Sequence, residues 1–288
     1  MEFGEMFRVI RKQKSISLQE IVGEEISYSA LATFERGECM LSFENLTTLL
    51  RKLNLSLDEF YCLCSSEMIE TEYEVFSKKA STYFYTRDLK QLTILSEQQL
   101  EKYKNTNTLF YKCNTIICKV VGSLLDNKSI NVSEDDKTFI LDYLWNIEVW
   151  TKYELSVLNY SLPIIPIASL KNFMNEIWKS LPSDFLTDKL HSYKFNLINS
   201  ILSLMIEENL YKESQQWIDK IKLRLHGSQD FFSMIYLYML ELMLNKQLNP
   251  TKELNEEFDQ LKRVLKKMGA ENYANHYEIE WNTIITSE

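Results

Sequence analysis

Polar and apolar positions follow a helical period almost from the start of the chain. In EMFRVIRKQK (5–14), Met6, Phe7 and Ile10 share one face, and Arg8, Arg11, Lys12 and Lys14 fall largely on the others. Ser15-Ile16-Ser17 interrupts this pattern. Ser17, with Glu20 three residues later, reads as a capping box that opens a second helix, LQEIVG, which Gly23 is placed to end. A third helix begins near Ser27 and runs through Glu35, and Gly37 supplies its stop because a left-handed backbone costs glycine least. Ser42 opens a fourth, carrying Leu46, Leu49, Leu50 and Leu53. Ser56 caps a fifth, with Glu59 again at the box position. These five helices predict a compact domain over residues 1–64.

From Glu67 onward the helices lengthen. The periodicity predicts helices over 67–85, 88–104, 107–126, 134–147, 150–160, 167–180, 184–208, 211–226, 229–246, 251–268 and 270–284. Boundaries fall at Arg87-Asp88, Asn105 to Asn107, Asn127 to Ser129, Pro163 to Pro166, Pro182, Gly227-Ser228, Asn249-Pro250 and Gly269. Such short loops join antiparallel neighbours, so residues 67–288 read as a solenoid of helix pairs without a strict repeat. Phe231 to Leu244 is apolar around most of its helix and must be buried, in the stack or in a dimer interface.

Composition agrees with an all-α protein. Six Gly and four Pro in 288 residues leave few turn and strand punctuators. The N-terminus, with Glu2, Glu5 and Arg8 in an amphipathic pattern, does not read as a signal peptide. Phe231 to Leu240 is about half the roughly 20 apolar residues a bilayer requires, so no membrane partner is expected. The five cysteines (Cys39, Cys62, Cys64, Cys113, Cys118) fit reduced thiols in the cytoplasm. Their spacing and that of His191, His226 and His276 predict no metal site, and no cofactor is expected. No phosphate loop, nucleophile elbow or Ser-His-Asp order argues for an enzyme. The adjacent acids Asp135-Asp136 and Glu207-Glu208 splay apart on their helices.

Charge argues the other way from the motif. The net charge is −9, and residues 1–64 hold seven Lys/Arg against ten Asp/Glu. Nucleic-acid affinity depends on where basic groups sit and not on their sum. The segment ISYSALATFERGECMLSFENLTTLLRKLNLSLDEF (26–60) resembles a Cro/C1-type helix-turn-helix domain, with Arg11, Ser17, Phe34 to Gly37 and Leu53 to Phe60 in place. FERGE (34–38), LLRKLNLSLDEF (49–60) and IEVWTKYE (147–154) resemble the Rgg/MutR/GadR regulators. That resemblance implies a second domain similar to tetratricopeptide (TPR) repeats, which binds a short signalling peptide. It also implies a dimer.

In such a fold the second of two short helices enters the major groove. Tyr28, Ser29, Ala32 and Thr33 face outward on that helix, and the resemblance places them at base edges; Leu31 and Phe34 face inward. The outward set lacks Arg, Asn and Gln, so readout falls to hydroxyls, a thymine-methyl contact and DNA shape. The resemblance also implies an internal ion pair between Arg11 and Glu35. Arg8, Lys12, Lys14, Arg36, Arg51 and Lys52 remain as phosphate partners, or as a solvated face.

For the peptide, the resemblance points to Asn159 and Asn199, whose amides offer a donor and an acceptor to a peptide group. Tyr160, Phe195 and Tyr236 are the accompanying apolar-pocket residues; the alternative is that all five serve helix packing. Leu162-Pro163, where some members carry a basic residue, predicts a less acidic or more apolar peptide. Phe43 stands where some members have a linking cysteine, which predicts a hydrophobic contact between DNA-binding domains. The function expected is a homodimeric, sequence-specific regulator of transcription. Its partners would be double-stranded DNA, a short peptide and, indirectly, RNA polymerase. Two alternatives stand beside it: the same architecture answering a small molecule, pH or a partner protein, and an interaction scaffold with vestigial DNA binding.

Overall fold

A computed structural model describes residues 3–24, 26–64, 70–125, 132–181, 189–226 and 230–283. The chain divides into two compact units, Met1–Val75 and Phe76–Glu288. The loop marks at Asn127 to Ser129, Pro182 and Gly227-Ser228 lie outside the described residues.

The first unit contains α1 (Phe3–Gln13), α2 (Leu18–Ile21), α3 (Tyr28–Glu35), α4 (Phe43–Lys52) and α5 (Leu57–Cys64). Local chemistry sets their ends. Ser17 and Glu20 form a reciprocal capping box, Ser27 accepts from the Ala30 amide at 3.2 Å, and Ser42 accepts from Asn45 at 3.2 Å. Each such cap is worth about 1 kcal/mol. Gly37 follows α3 with φ 75°, the left-handed conformation expected of it. The second helix stops earlier than its pattern predicts: Val22 turns extended, and Lys52 Nζ donates to the orphan Ile21 carbonyl at 3.0 Å. Gly23 therefore does not make the stop. Phe7 anchors the core, with Phe34 and Phe60 edge-on at 5.8 and 6.4 Å.

Three carboxylates of this unit are held below the usual 4.5: Glu20 by Ser17, Glu38 by Arg36 and Glu59 by Ser56. A lowered folded pKa adds stability that is present above the unfolded value and lost as pH falls through the folded one. Acid titration of the full chain is therefore expected to loosen this unit below about pH 4.5. Amide exchange of α2 and α5 that stays unchanged down to about pH 3 would contradict this.

The remaining helices are α6 (Glu72–Tyr85), α7 (Leu89–Thr106), α8 (Leu109–Leu125), α9 (Glu134–Trp145), α10 (Lys152–Ser161), α11 (Ile167–Lys179), α12 (Lys189–Glu207), α13 (Tyr211–Leu225), α14 (Phe231–Leu248), α15 (Lys252–Lys267) and α16 (Glu271–Thr283). Within the described residues they match the predicted set closely; residues 126, 184–188, 229 and 284 of that set lie outside them. Of the helix predicted over 67–85, residues 67–69 lie outside the described set, and α6 itself begins after a Thr71–Glu74 capping box. No strand occurs among the described residues. The unit is an α-solenoid of TPR-like antiparallel pairs. Within it α7 packs on α8, α11 on α12, α13 on α14 and α15 on α16, while α8, α10, α12 and α14 pack side by side in one row. Asn107 and Asn209 end α7 and α12 in left-handed conformations, doing in this unit what Gly37 does in the first. The apolar α14 is buried through its middle, at Leu237, Met239, Leu240 and Leu242 to Leu244, but Phe231 is 72% exposed and Leu248 54%.

Candidate functional site

The outward face of α3 takes shape from its cap. Tyr28 is 55% exposed and Ser29 is exposed, while Ala32 and Thr33 are half-buried; Leu31 and Phe34 face the core. Thr33 spends its hydroxyl proton on the Ser29 carbonyl at 2.7 Å, and the Ser27 and Ser29 hydroxyls are 3.2 Å apart. Only the Thr33 oxygen then remains as an acceptor, and Arg36 donates to it at 3.3 Å.

Arg36 is not a free phosphate partner. Its Nε and Nη2 donate to the two oxygens of Glu38 at 2.6 and 2.8 Å, which raises the pKa of the arginine and lowers that of the glutamate. Lys52 is likewise committed, to the Ile21 carbonyl. Arg8 and Lys12 stand exposed on α1, Lys14 is exposed in the turn that follows it, and Arg51 is exposed on α4. Glu38 is the residue that sequence reasoning missed. Its signal was an opposite charge two residues beyond Arg36, across a left-handed glycine that folds the chain back.

Arg11 has no share in the surface. Its Nε and Nη2 donate to Glu35 Oε1 and Oε2 at 2.6 and 2.7 Å, both side chains buried, and its Nη1 donates to the Ile16 carbonyl at 2.6 Å. One guanidinium thus joins α1, the turn into α2 and the end of α3. Hydrogen bonding to Glu35 raises the Arg11 pKa against the opposing effect of burial. Phe43, in the first turn of α4, is 68% exposed, and among the described residues all five cysteines are free.

The repeat unit carries a cavity of about 190 Å³ lined by three helices. Each gives an i,i+4 pair: Asn196 and Ser200 from α12, Phe232 and Tyr236 from α14, Tyr273 and Tyr277 from α16. Of the residues the resemblance pointed to, Tyr236 alone lines it; burial pushes its phenol up to about 12. Phe195 and Asn199 belong to α12 but are turned inward, and Asn199 is 0% exposed with neither amide atom hydrogen-bonded. Asn159 is exposed and Tyr160 half-buried on α10, outside this cavity. Asn196 presents the amide chemistry that was expected of Asn199, three residues earlier on the same helix.

Residues 93–279 match the family model described as the C-terminal domain of the HTH-type transcriptional regulator Rgg. The chain belongs to the Rgg family of HTH-type transcriptional regulators. The span matched in this Rgg-family chain runs from α7 into α16 and so includes the whole cavity. Solved structures share the fold. The Streptococcus dysgalactiae SHP pheromone receptor Rgg2 has a TM-score of 0.77 at 21% identity, covering 99% of this chain and 100% of that one. A Listeria monocytogenes EGD-e protein gives 0.79 at 20% identity, covering 96% and 95%. The PrgX/cCF10 complex gives 0.78 at 12% identity, covering 99% and 100%. Among the described residues no helix of this Rgg-family chain is long and apolar enough to cross a membrane.

Proposed function

We propose that the chain is a homodimeric, sequence-specific DNA-binding regulator of transcription whose repeat unit is switched by a short peptide. The observation that carries this reading is the match to the Rgg C-terminal domain across residues 93–279, following a unit with helix-turn-helix geometry in the chain. Rgg2 of Streptococcus dysgalactiae, of the same fold, is described as a pheromone receptor, and PrgX was solved with cCF10.

On this reading α3 enters the major groove with Tyr28, Ser29, Ala32 and Thr33, and α1 with the turn after it brings Arg8, Lys12 and Lys14 to the phosphates. Peptide acts by binding one packing of the dimer more tightly than another. Moving a population from 1:99 to 99:1 needs about a 10⁴-fold difference in affinity. Genome-wide occupancy of the tagged protein, with peptide uptake intact and then deleted, tests the reading. Inverted-repeat sites whose occupancy or output changes on deletion support it; sites with unchanged output remove the peptide, and no sites at all remove the DNA.

The Arg36–Glu38 pair yields a sharper result. Glu38→Gln releases Arg36, so duplex binding is expected to tighten at low salt. The slope of log K against log[salt] should steepen by about 0.9 for each arginine that gains a phosphate. A slope identical to that of the parent protein, measured by fluorescence anisotropy, would place Arg36 away from the DNA.

A further inference from the structure

Positive charge gathers where the end of α11 meets α13. Trp178 of α11 and Trp217 of α13 contact edge-on at 5.5 Å. Lys220 Nζ lies against both rings, 4.7 Å from the Trp178 centroid and 4.0 Å from that of Trp217. One turn further along α13, Arg224 Cζ is 4.7 Å from the same Trp178 ring, and its Nη2 donates to the Leu181 carbonyl at 2.8 Å. Lys179, next to Trp178 in the chain and the last residue of α11, is exposed. Like charges one turn apart destabilise a helix. Desolvation lowers the Lys220 pKa, and the charges of Arg224 and Lys179 lower it further. Elsewhere on these two helices lysines are matched: Lys171 meets Glu213, and Lys222 meets Glu241. Asp219, beside Lys220 in the chain, instead accepts from Gln215 at 2.9 Å. Among the described residues no carboxylate pairs with Lys179 or Lys220.

Arg224 serves the fold itself, since a cation at a helix C-terminus meets its negative dipole end. The two rings hold the Lys220 ammonium in place without neutralising it. A side chain fixed in this way loses little further freedom on meeting an anion. Leu223, three residues beyond Lys220 and so on the same face of α13, is 81% exposed. An ion pair at the surface contributes little alone, so the leucine decides the class of ligand. A small anion or a phosphate backbone would satisfy the lysines and leave Leu223 uncovered. A polypeptide with carboxylates around an apolar side chain meets all three. In a chain of net charge −9, this is also where an acidic partner meets attraction. We propose that Lys179, Lys220 and Leu223 form a docking surface for an acidic segment of another protein, its carboxylates on the lysines and an apolar side chain on the leucine. Such docking does not depend on a peptide switching the repeat unit.

The test presents a random decapeptide library, capped at both ends, to the immobilised full-length protein and to its Lys179→Gln, Lys220→Gln double variant. Both lysines are exposed, so the variant is expected to fold as the parent does. Retained peptides are identified by mass spectrometry. Those kept by the parent and lost by the variant should be severalfold enriched in Asp and Glu, with Leu, Ile, Val or Met beside them. Their retention should fall severalfold in Leu223→Ser and weaken as salt rises. Fluorine NMR of 5-fluorotryptophan-labelled protein, assigned through Trp178→Phe and Trp217→Phe, places the contact: a selected peptide should shift both resonances. Identical peptide sets on parent and double variant would overturn the surface, as would selected peptides that leave both resonances unmoved. Acidic peptides that Leu223→Ser retains as well as the parent does would reduce it to bare charge attraction and overturn the docking. Oligothymidylate that binds more tightly than the selected peptides would replace the protein partner with nucleic acid. A smaller assembly of the double variant in light scattering would give the surface to a second copy of this chain, and so overturn the partner proposed.

Discussion

Glu35→Ala is expected to unfold the N-terminal unit at temperatures where the repeat unit stays folded. Arg11 and Glu35 meet through two bonds of 2.6 and 2.7 Å between side chains that are both nearly sealed from water. Removing the carboxylate leaves the guanidinium buried with the Ile16 carbonyl as its remaining hydrogen-bond acceptor. Breaking a buried pair from one side costs about 3–5 kcal/mol, mostly the desolvation of the stranded charge. For a domain of this size that lowers the melting temperature by something on the order of 20 °C. The double variant Arg11→Met with Glu35→Leu should recover much of the loss, since no charge is then left stranded. Circular dichroism of the full chain checks both. A single variant that melts within a few degrees of the parent would mean that water reaches Arg11. Because the pair fixes the end of α3 against α1, duplex binding should fall with stability in the single variant and return in the double.

Gly4→Ala is expected to be nearly as damaging, for a steric reason. A Cβ at Gly4 would lie 1.7 Å from the Phe34 carbonyl oxygen and 2.7 Å from its carbon. Ordinary contacts between such atoms are about 3.5 Å, so α1 must withdraw from α3 by well over an ångström. The obstacle is backbone, which cannot rotate aside as a side-chain tip can. Overpacking of this kind costs about 3 kcal/mol, against a gain of at most about 1 kcal/mol from replacing glycine in a helix. The clearest readout is again the first unit's melting transition. A Gly4→Ala variant as stable as the parent would show that α1 can slide freely.

How much of this was legible in the sequence differs by kind of feature. Helix starts were, because Ser17, Ser27, Ser42 and Ser56 announce themselves by side-chain chemistry that acts within three residues. The early end of α2 was not, because Lys52 reaches Ile21 from thirty-one residues away. The cavity fell between these cases. Its three i,i+4 pairs are periodic and readable one helix at a time, but nothing local reveals that α12, α14 and α16 present them to the same space. Asn199 shows the reverse case: its residue type is plain in the sequence, while the helix rotation that buries it is decided by neighbours on α10, α11, α13 and α14. Gly4 left almost no trace, since a glycine near a helix start has many possible reasons.

The row formed by α8, α10, α12 and α14 bears on how the repeat unit comes apart. A stack in which each pair leans mainly on the next melts as a quasi-one-dimensional chain, fraying from its ends. A guest seated across α12, α14 and α16 touches helices from three successive pairs at once. It would act as a splint on a zipper, making the terminal pairs let go together.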